Sequence, residues 1–436
     1  ILTPQNNLSI GINMTKNGII GLSAGAIIVL GGLTFYTHSA FSSQIEQAIS
    51  EKNNAQYTVS IESKEDRFLS SKVQYKITLD KNIAAQMGTS LQSDVEFYIN
   101  HEYASYPLLV DSKFTMDFTK GAGKEFINAF TAENFEHMVT LSTNLLTQSN
   151  ALDIEVLPAV LEDHAQNVVT IGSLKASFDG DLAFSQGDFA FIFSEMDAQM
   201  KQGGSFQLKG LSSAGTIDSQ SGFTFTKNSV SALEEASYKN DAVLESWSVN
   251  HLSAISSSKG FDTDVISGET KIAAQTVSVK NALLNYKVTD TEIALMVQNL
   301  DKTGIIELNK LSSSAPQLPE ILASTEGIIN RGFDGEITKL KTTVNDVSLD
   351  SSGTFDFPAY TGEMNQQMIM MHVAQKFSLD YSASLSNNYA EVFPQYAPMI
   401  DGLTAQGFAE KDQDGNVSTT IKIKDMAITA NDKRIR

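Results

Sequence analysis

Between Val73 and Leu79 apolar and polar residues alternate strictly, with Gln74, Lys76 and Thr78 separating Val73, Tyr75, Ile77 and Leu79. That two-residue period puts a different chemistry on each side of an extended chain, so the segment folds as a strand with one face covered. The same period recurs at Val95, Phe97, Ile99, at Phe114, Met116, Phe118, at Phe189, Phe191, Phe193, and at Phe377, Leu379, Tyr381. One-sided alternation belongs to antiparallel sheets, because parallel strands are buried on both faces and read as continuous apolar runs. The expected class is α+β: a mainly antiparallel β body with helical inserts, preceded by an N-terminal transmembrane signal-anchor helix. A doubly wound α/β fold is disfavoured.

Helical spacing interrupts the strands between Glu125 and Gln148, where Phe126, Phe130, Phe135, Met138, Leu141 and Leu145 recur at three- to five-residue steps. Helices are also expected over Thr291–Leu311, Leu318–Asn330 and Asn388–Leu403, the last broken by Pro394 and Pro398. A short unit with apolar residues, or Ala and Thr, at offsets 0, 2, 5 and 7 occurs at Val169, Ile171, Leu174, Ala176 and at Trp247, Val249, Leu252, Ala254. It returns at Val277, Val279, Ala282, Leu284, at Thr342, Val344, Val347, Leu349, and at Ile421, Ile423, Met426, Ile428. Turn-prone pairs such as Asn250-His251 and Asn345-Asp346 sit in the middle, so each unit reads as a two-residue hairpin or as a strand with a β-bulge.

The N-terminal region sets the expected compartment. From Gly18 to Tyr36 the chain is apolar, and no charged side chain lies between Lys16 and Glu46. At ~1.5 Å per residue the run reaches roughly 28 Å, the thickness of a bilayer core. The expected organisation is an upstream flexible extension (1–13) ahead of Met14, a signal anchor (14–40), a helical neck over Ser42–Ser50, and two β-rich periplasmic regions (41–240 and 241–436). Gly21 and Gly25 form a G-x-x-x-G that suits a helix-dimer contact within the membrane. The G-x-S-x-G pattern around Ser23 falls inside the same span, where no nucleophile elbow can be built.

Composition excludes several functions. The chain has 436 residues, no cysteine, and 31 basic against 51 acidic side chains for a net charge of −20. No thiolate metal site, disulfide framework or Cys nucleophile is available, and four arginines (Arg67, Arg331, Arg434, Arg436) make a poor phosphate-binding surface. The six histidines (His38, His101, His137, His164, His251, His372) are scattered and lack metal-ligand spacing. Asp412-Gln-Asp414-Gly415-Asn416 departs from a calcium loop, with Gly at the fourth place and Ile423 at the twelfth, and reads as a hairpin turn. No catalytic, cofactor or metal residue is expected. A candidate apolar groove for acyl chains comes from the Phe-rich stretch: Phe184, Phe189, Phe191, Phe193, Phe206, Phe223 and Phe225.

The apolar anchor, Arg67-Phe-Leu-Ser-Ser71 leading into a strand, Val169-Thr-Ile171-Gly-Ser-Leu174, and the tail Asp414-Gly-Asn-Val417 through Lys424-Asp425 to Asn431-Asp-Lys433 together resemble the YdgA-like family of bacterial envelope proteins. The match extends from Met14 to the end, with Phe68 where the family has Gly and Asn431-Asp432 where it has Asn-Gly. The resemblance implies an inner-membrane protein of a Gram-negative bacterium with its body in the periplasm, and it carries no catalytic residues. The expected function is non-enzymatic binding of a protein partner, a second copy or a lipid; a periplasmic hydrolase is the alternative. Expected partners are the bilayer through residues 18–36, a homo-oligomer and a lipid ligand, with no nucleic acid.

Overall fold

The computed structural model describes residues 57–435, except 68, 80–94, 122–123, 125–129, 134–135, 164–165, 202, 221–222, 283–284, 312–317 and 363–364. The anchor, the extension, the neck, Gly21, Gly25, His38 and His164 lie outside the described residues. Among the described residues no helix is long and apolar enough to cross a membrane. The chain divides into two compact units, one of residues 57–126 and 138–152, the other of 127–137 and 153–435.

The first unit is an antiparallel meander of β1 (Tyr57–Asp66), β2 (Ser70–Leu79), β3 (Val95–Tyr106) and β4 (Leu109–Met116). β5 (Phe130–Glu133) belongs to the second unit, and β6 (His137–Asn144) returns to pair with β4. Alternation in β2 sends Val73 and Tyr75 inward to meet Tyr103 and Val110, with Val59 and Phe114 packed around them.

β7 (Ser149–Val156) begins in the first unit and ends in the second, which continues through β8 (Ala159–Asp163), β9 (Val168–Ile171) and β10 (Leu174–Asp181). Long strands follow: β11 (Gln186–Gln199), β12 (Gly204–Gln220), β13 (Phe223–Asn240), β14 (Glu245–Lys259), β15 (Val265–Lys280) and β16 (Asn285–Asp301). At ~3.4 Å per residue these reach roughly 50 to 60 Å. Helices α1 (Lys302–Leu311), α2 (Leu318–Ser324) and α3 (Glu326–Arg331) intervene before β17 (Phe333–Val344) and β18 (Val347–Phe357). Then come α4 (Gln366–Lys376), β19 (Ser378–Leu385), α5 (Tyr389–Val392), α6 (Ala397–Ala405), β20 (Glu410–Lys411), β21 (Val417–Lys424), β22 (Ala427–Ala430) and β23 (Lys433–Arg434). From β11 to β19 each strand pairs antiparallel with the next, and β21 adds to β19.

A transverse line crosses the long strands. Gly210, His251 and Asp290 have φ of 61°, 49° and 53° in mid-strand, and at this line the pairing skips Ser194, Gly210, Glu234, His251, Gln275 and Asp290. Across it the apolar series steps by three: Phe193 to Met196, Leu211 to Leu208, Leu233 to Ala236, Leu252 to Val249, Ala274 to Val277. A pleat interrupted once changes phase by one residue, so a three-residue step keeps both halves of the series on one side of the sheet.

This line explains part of the 0, 2, 5, 7 spacing and corrects the rest. Asn250-His251 is an interruption inside β14, and Gly172-Ser173 separates β9 from β10, which both pair with β11. Asn345-Asp346 forms a two-residue hairpin turn with φ of 47° and 70°, as type I′ geometry requires. In the last copy the turn is Asp425-Met426, one residue later than expected; Ile423 faces Ile428, and Met426 is exposed in the turn.

The helix expected over Glu125–Gln148 is contradicted by its described part, which is strand. Pairing of β6 with β4 overrides a helical period carried by few residues, and the Asn144 side chain accepts from the backbone N–H groups of Leu146 and Thr147 to turn the chain. Over Thr291–Leu311 only the part from Lys302 is helical, because Ile293, Leu295 and Val297 continue the alternation of β16. The helix expected over Leu318–Asn330 is split at Thr325 into α2 and α3. Pro394 falls in the break between α5 and α6, but Pro398 starts α6 instead of breaking it, since the first turn of a helix needs no N–H from that residue. The helix α4 was not expected; its signal was Asn365, whose side chain accepts from the N–H groups of Gln367 and Met368.

Candidate functional site: an uncharged sheet face and its capped pocket

Because β11 to β17 pair in continuous register, the sequence sorts into cross-strand rows. One row runs Phe189, Gly215, Ser229, Ser256, Thr270, Leu295, Ile337, and the next row on that face runs Phe191, Ser213, Ser231, Ala254, Ile272, Ile293, Leu340. Beyond the transverse line, one row is Met196, Leu208, Ala236, Val249, Val277, Val288, Val344, and another is Ala198, Phe206, Tyr238, Trp247, Val279, Tyr286. None of these residues is charged. The intervening rows carry the ions, among them the pairs Lys209–Glu235 at 3.8 Å and Lys339–Glu292 at 2.5 Å. There the Lys271 ammonium, bonded to Glu269 at 2.8 Å, holds that carboxyl below its usual range.

The uncharged face is incompletely covered. Trp247, Ile272, Val279, Tyr286, Ile293 and Leu295 are each 36% to 40% exposed, so much of their apolar surface meets water at a cost of roughly 25 cal/mol per Å². Phe206 packs edge-on against Trp247 with ring centroids 6.0 Å apart.

One end of the face is roofed by helices. The Asp301 carboxylate accepts from the Gly304 N–H at 2.7 Å, capping α1, and its other oxygen lies 3.5 Å from Nε of Arg331 in α3. A single side chain thus ties α1 to α3. Ile306 of α1 is buried with Phe225, Phe261 and Ile266. Beside this cluster lies a cavity of about 410 Å³, lined in part by the apolar side chains of Phe225, Ile266, Leu300 and Ile305. The hydroxyls of Thr226, Ser229, Ser256, Ser258 and Thr270 also line it, with Ser256 and Thr270 bonded at 3.2 Å. Ser229, Ser256 and Thr270 belong to the Phe189 row, so the cavity opens onto the uncharged face. Among the described residues no charged one lines it.

The sequence-derived phenylalanines are divided by the fold. Phe189, Phe191 and Phe193 stand half-buried on one side of β11, facing Phe178, Ala176 and Leu174 of β10. Phe206 lies beyond the line on β12, and Phe225 is buried at the cavity. Phe184 sits in the turn after β10 with φ of 53°, 5.4 Å from the Phe178 ring. Phe223 is in β13, and its side chain lies outside the described residues. The cavity hydroxyls, Gly268 and Trp247 were missed as members of this face. Their signal was the alternating serines of β13 and β14, which register places in line with Phe189.

Elsewhere several of the polar groups are bonded to one another. Asp412 accepts from the N–H groups of Asp414 and Asn416, and the Asn416 amide bonded to it holds its carboxyl below the usual range. This is a turn between β20 and β21. His101 is buried in the first unit, stacked 4.0 Å from the Phe114 ring with the Tyr75 hydroxyl 3.0 Å from Nδ1. His372 Nε2 is 3.0 Å from the Ala359 carbonyl oxygen. Among the described residues no three acidic or histidine side chains gather to hold a metal ion. No family model, curated protein or solved structure matches the chain.

Proposed function

We propose that this chain is a non-enzymatic, membrane-anchored protein of the bacterial envelope that holds lipid acyl chains on the uncharged face of its long sheet. Segregation of charge carries the reading. With 51 acidic and 31 basic residues in the chain, successive rows across β11 to β16 hold none on one side while the rows between them hold many. Such a face has nothing to pair with an ionic ligand and much to gain from hydrocarbon, about 0.8 kcal/mol per methylene buried. A second copy is the weaker occupant, because two bodies of charge −20 repel as they approach. The apolar run over 18–36 and the YdgA-like resemblance support a body held in the periplasm beside the inner membrane, where acyl chains are at hand.

The single tryptophan supplies the test, since Trp247 stands on this face. Phosphatidylcholine with brominated acyl chains is expected to quench Trp247 emission, while the unbrominated lipid leaves it bright, and solvent extraction of the purified protein yields lipid. Unchanged emission together with a lipid-free extract refutes the reading. Recovery of the full-length chain in the cytosolic fraction refutes the location.

A further inference from the structure

We infer that the cavity beneath α1 receives the ester-bearing end of a neutral acyl glycerol lipid, with the hydrocarbon continuing along the uncharged rows. This rests on the acyl-chain reading above and names the ligand's polar part and its seat.

The cavity lining mixes apolar side chains with hydroxyls. A hydrocarbon alone would satisfy the apolar side chains but strip water from the hydroxyls of Thr226, Ser229 and Ser258 and from the one O–H that the Ser256–Thr270 bond leaves over, each costing roughly 1 to 3 kcal/mol if left unbonded. A carboxylate or phosphate would meet hydroxyls and no cation, because among the described residues no Lys, Arg or His lines the space, and burying such a charge unpaired is costlier still. An ester fits both limits: it is uncharged, its carbonyl accepts from hydroxyls, and its acyl chain is apolar. The volume of about 410 Å³ lies within the roughly 300 to 1,000 Å³ of small-molecule sites. The order of residues along the face also fits. The hydroxyls share a row with Phe189, and the adjoining row places the apolar side chains of Ala254, Ile272 and Ile293 next to the Ser256, Thr270 and Leu295 positions.

Gly268 gives a direct way to close the site. It lines the cavity, and a Cβ added there would lie 3.6 Å from the Ser257 carbonyl oxygen and 3.7 Å from the Ser258 hydroxyl, ordinary contact distances. Larger side chains at 268 therefore project into the cavity without backbone strain.

The test measures binding of 1-palmitoyl glycerol and of its ether analogue, hexadecyl glycerol, to the full chain and to Gly268→Phe and Thr270→Val. Wild type is expected to favour the ester about tenfold, the weight of roughly one hydrogen bond. Thr270→Val, matched in shape, should erase that preference while still binding the ether, and Gly268→Phe should weaken both ligands at least tenfold. Quenching of Trp247 by brominated phosphatidylcholine should persist in both variants. If both variants bind 1-palmitoyl glycerol as wild type does, with the ester preference intact, the cavity assignment is overturned although the acyl-chain reading stands. If Gly268→Phe fails to fold, an unchanged ester preference in Thr270→Val overturns it alone. If wild type binds neither ligand and shows no quenching, the broader reading fails first.

Discussion

Acidification should loosen the first unit through His101. The ring is 2% exposed, stacked on Phe114 and bonded to Tyr75, and burial pushes its pKa from 6.5 to about 4. Between those values the unfolded chain binds a proton that the folded chain refuses. Stability is therefore fully present above pH 6.5, falls as pH drops towards 4, and levels off below it. The whole interval corresponds to about 3 kcal/mol at 1.36 kcal/mol per pH unit, and the part between pH 7.5 and 5.5 to about 1.4 kcal/mol. Amide hydrogen exchange in β2 to β4, corrected for intrinsic rates, should show roughly tenfold less protection at pH 5.5 than at 7.5 if exchange there requires exposing the ring. His101→Gln keeps a hydrogen-bonding side chain beside the Tyr75 hydroxyl and cannot titrate, so it should be less protected at pH 7.5 but nearly flat with pH. Glu102, held low by its bond to Lys72, is common to both proteins, so its titration cancels in the comparison. Equal pH dependence in wild type and His101→Gln would refute the reasoning.

Other perturbations have defined outcomes. Asp301→Ala removes the cap of α1 and its link to Arg331 and should cost about 1 kcal/mol, read as faster exchange over 302–311 and 326–331 with β1 to β4 unchanged. His251→Gly should stabilise the second unit by roughly 0.5 to 1 kcal/mol in urea unfolding, because a left-handed residue with a side chain is strained. Ser253→Gly, two residues on in the same strand, should destabilise by a similar amount. Asn365→Ala should cost about 1 kcal/mol through loss of the α4 cap, seen as fraying of 366–376 in hydrogen exchange.

The β character of this chain was legible because a two-residue period needs no tertiary information: Val73 to Leu79 and Phe189 to Phe193 state which side must be covered. The hairpin at Asn345-Asp346 was legible for a similarly local reason, since Asn and Asp tolerate positive φ. The Glu125–Gln148 segment was misread because spacing of a few apolar residues fits either period, and only pairing with β4 chooses between them. The site depended on tertiary structure altogether. Ser229, Ser256 and Thr270 are distant in sequence and individually read as ordinary polar strand residues. Register aligned them with Phe189, the left-handed residues Gly210, His251 and Asp290 shifted the pleat so that the uncharged series stayed on one side, and α1 roofed one end. Alternation within a strand is determined by neighbouring residues, but which strands share a row, and what covers it, is decided only when distant segments pair.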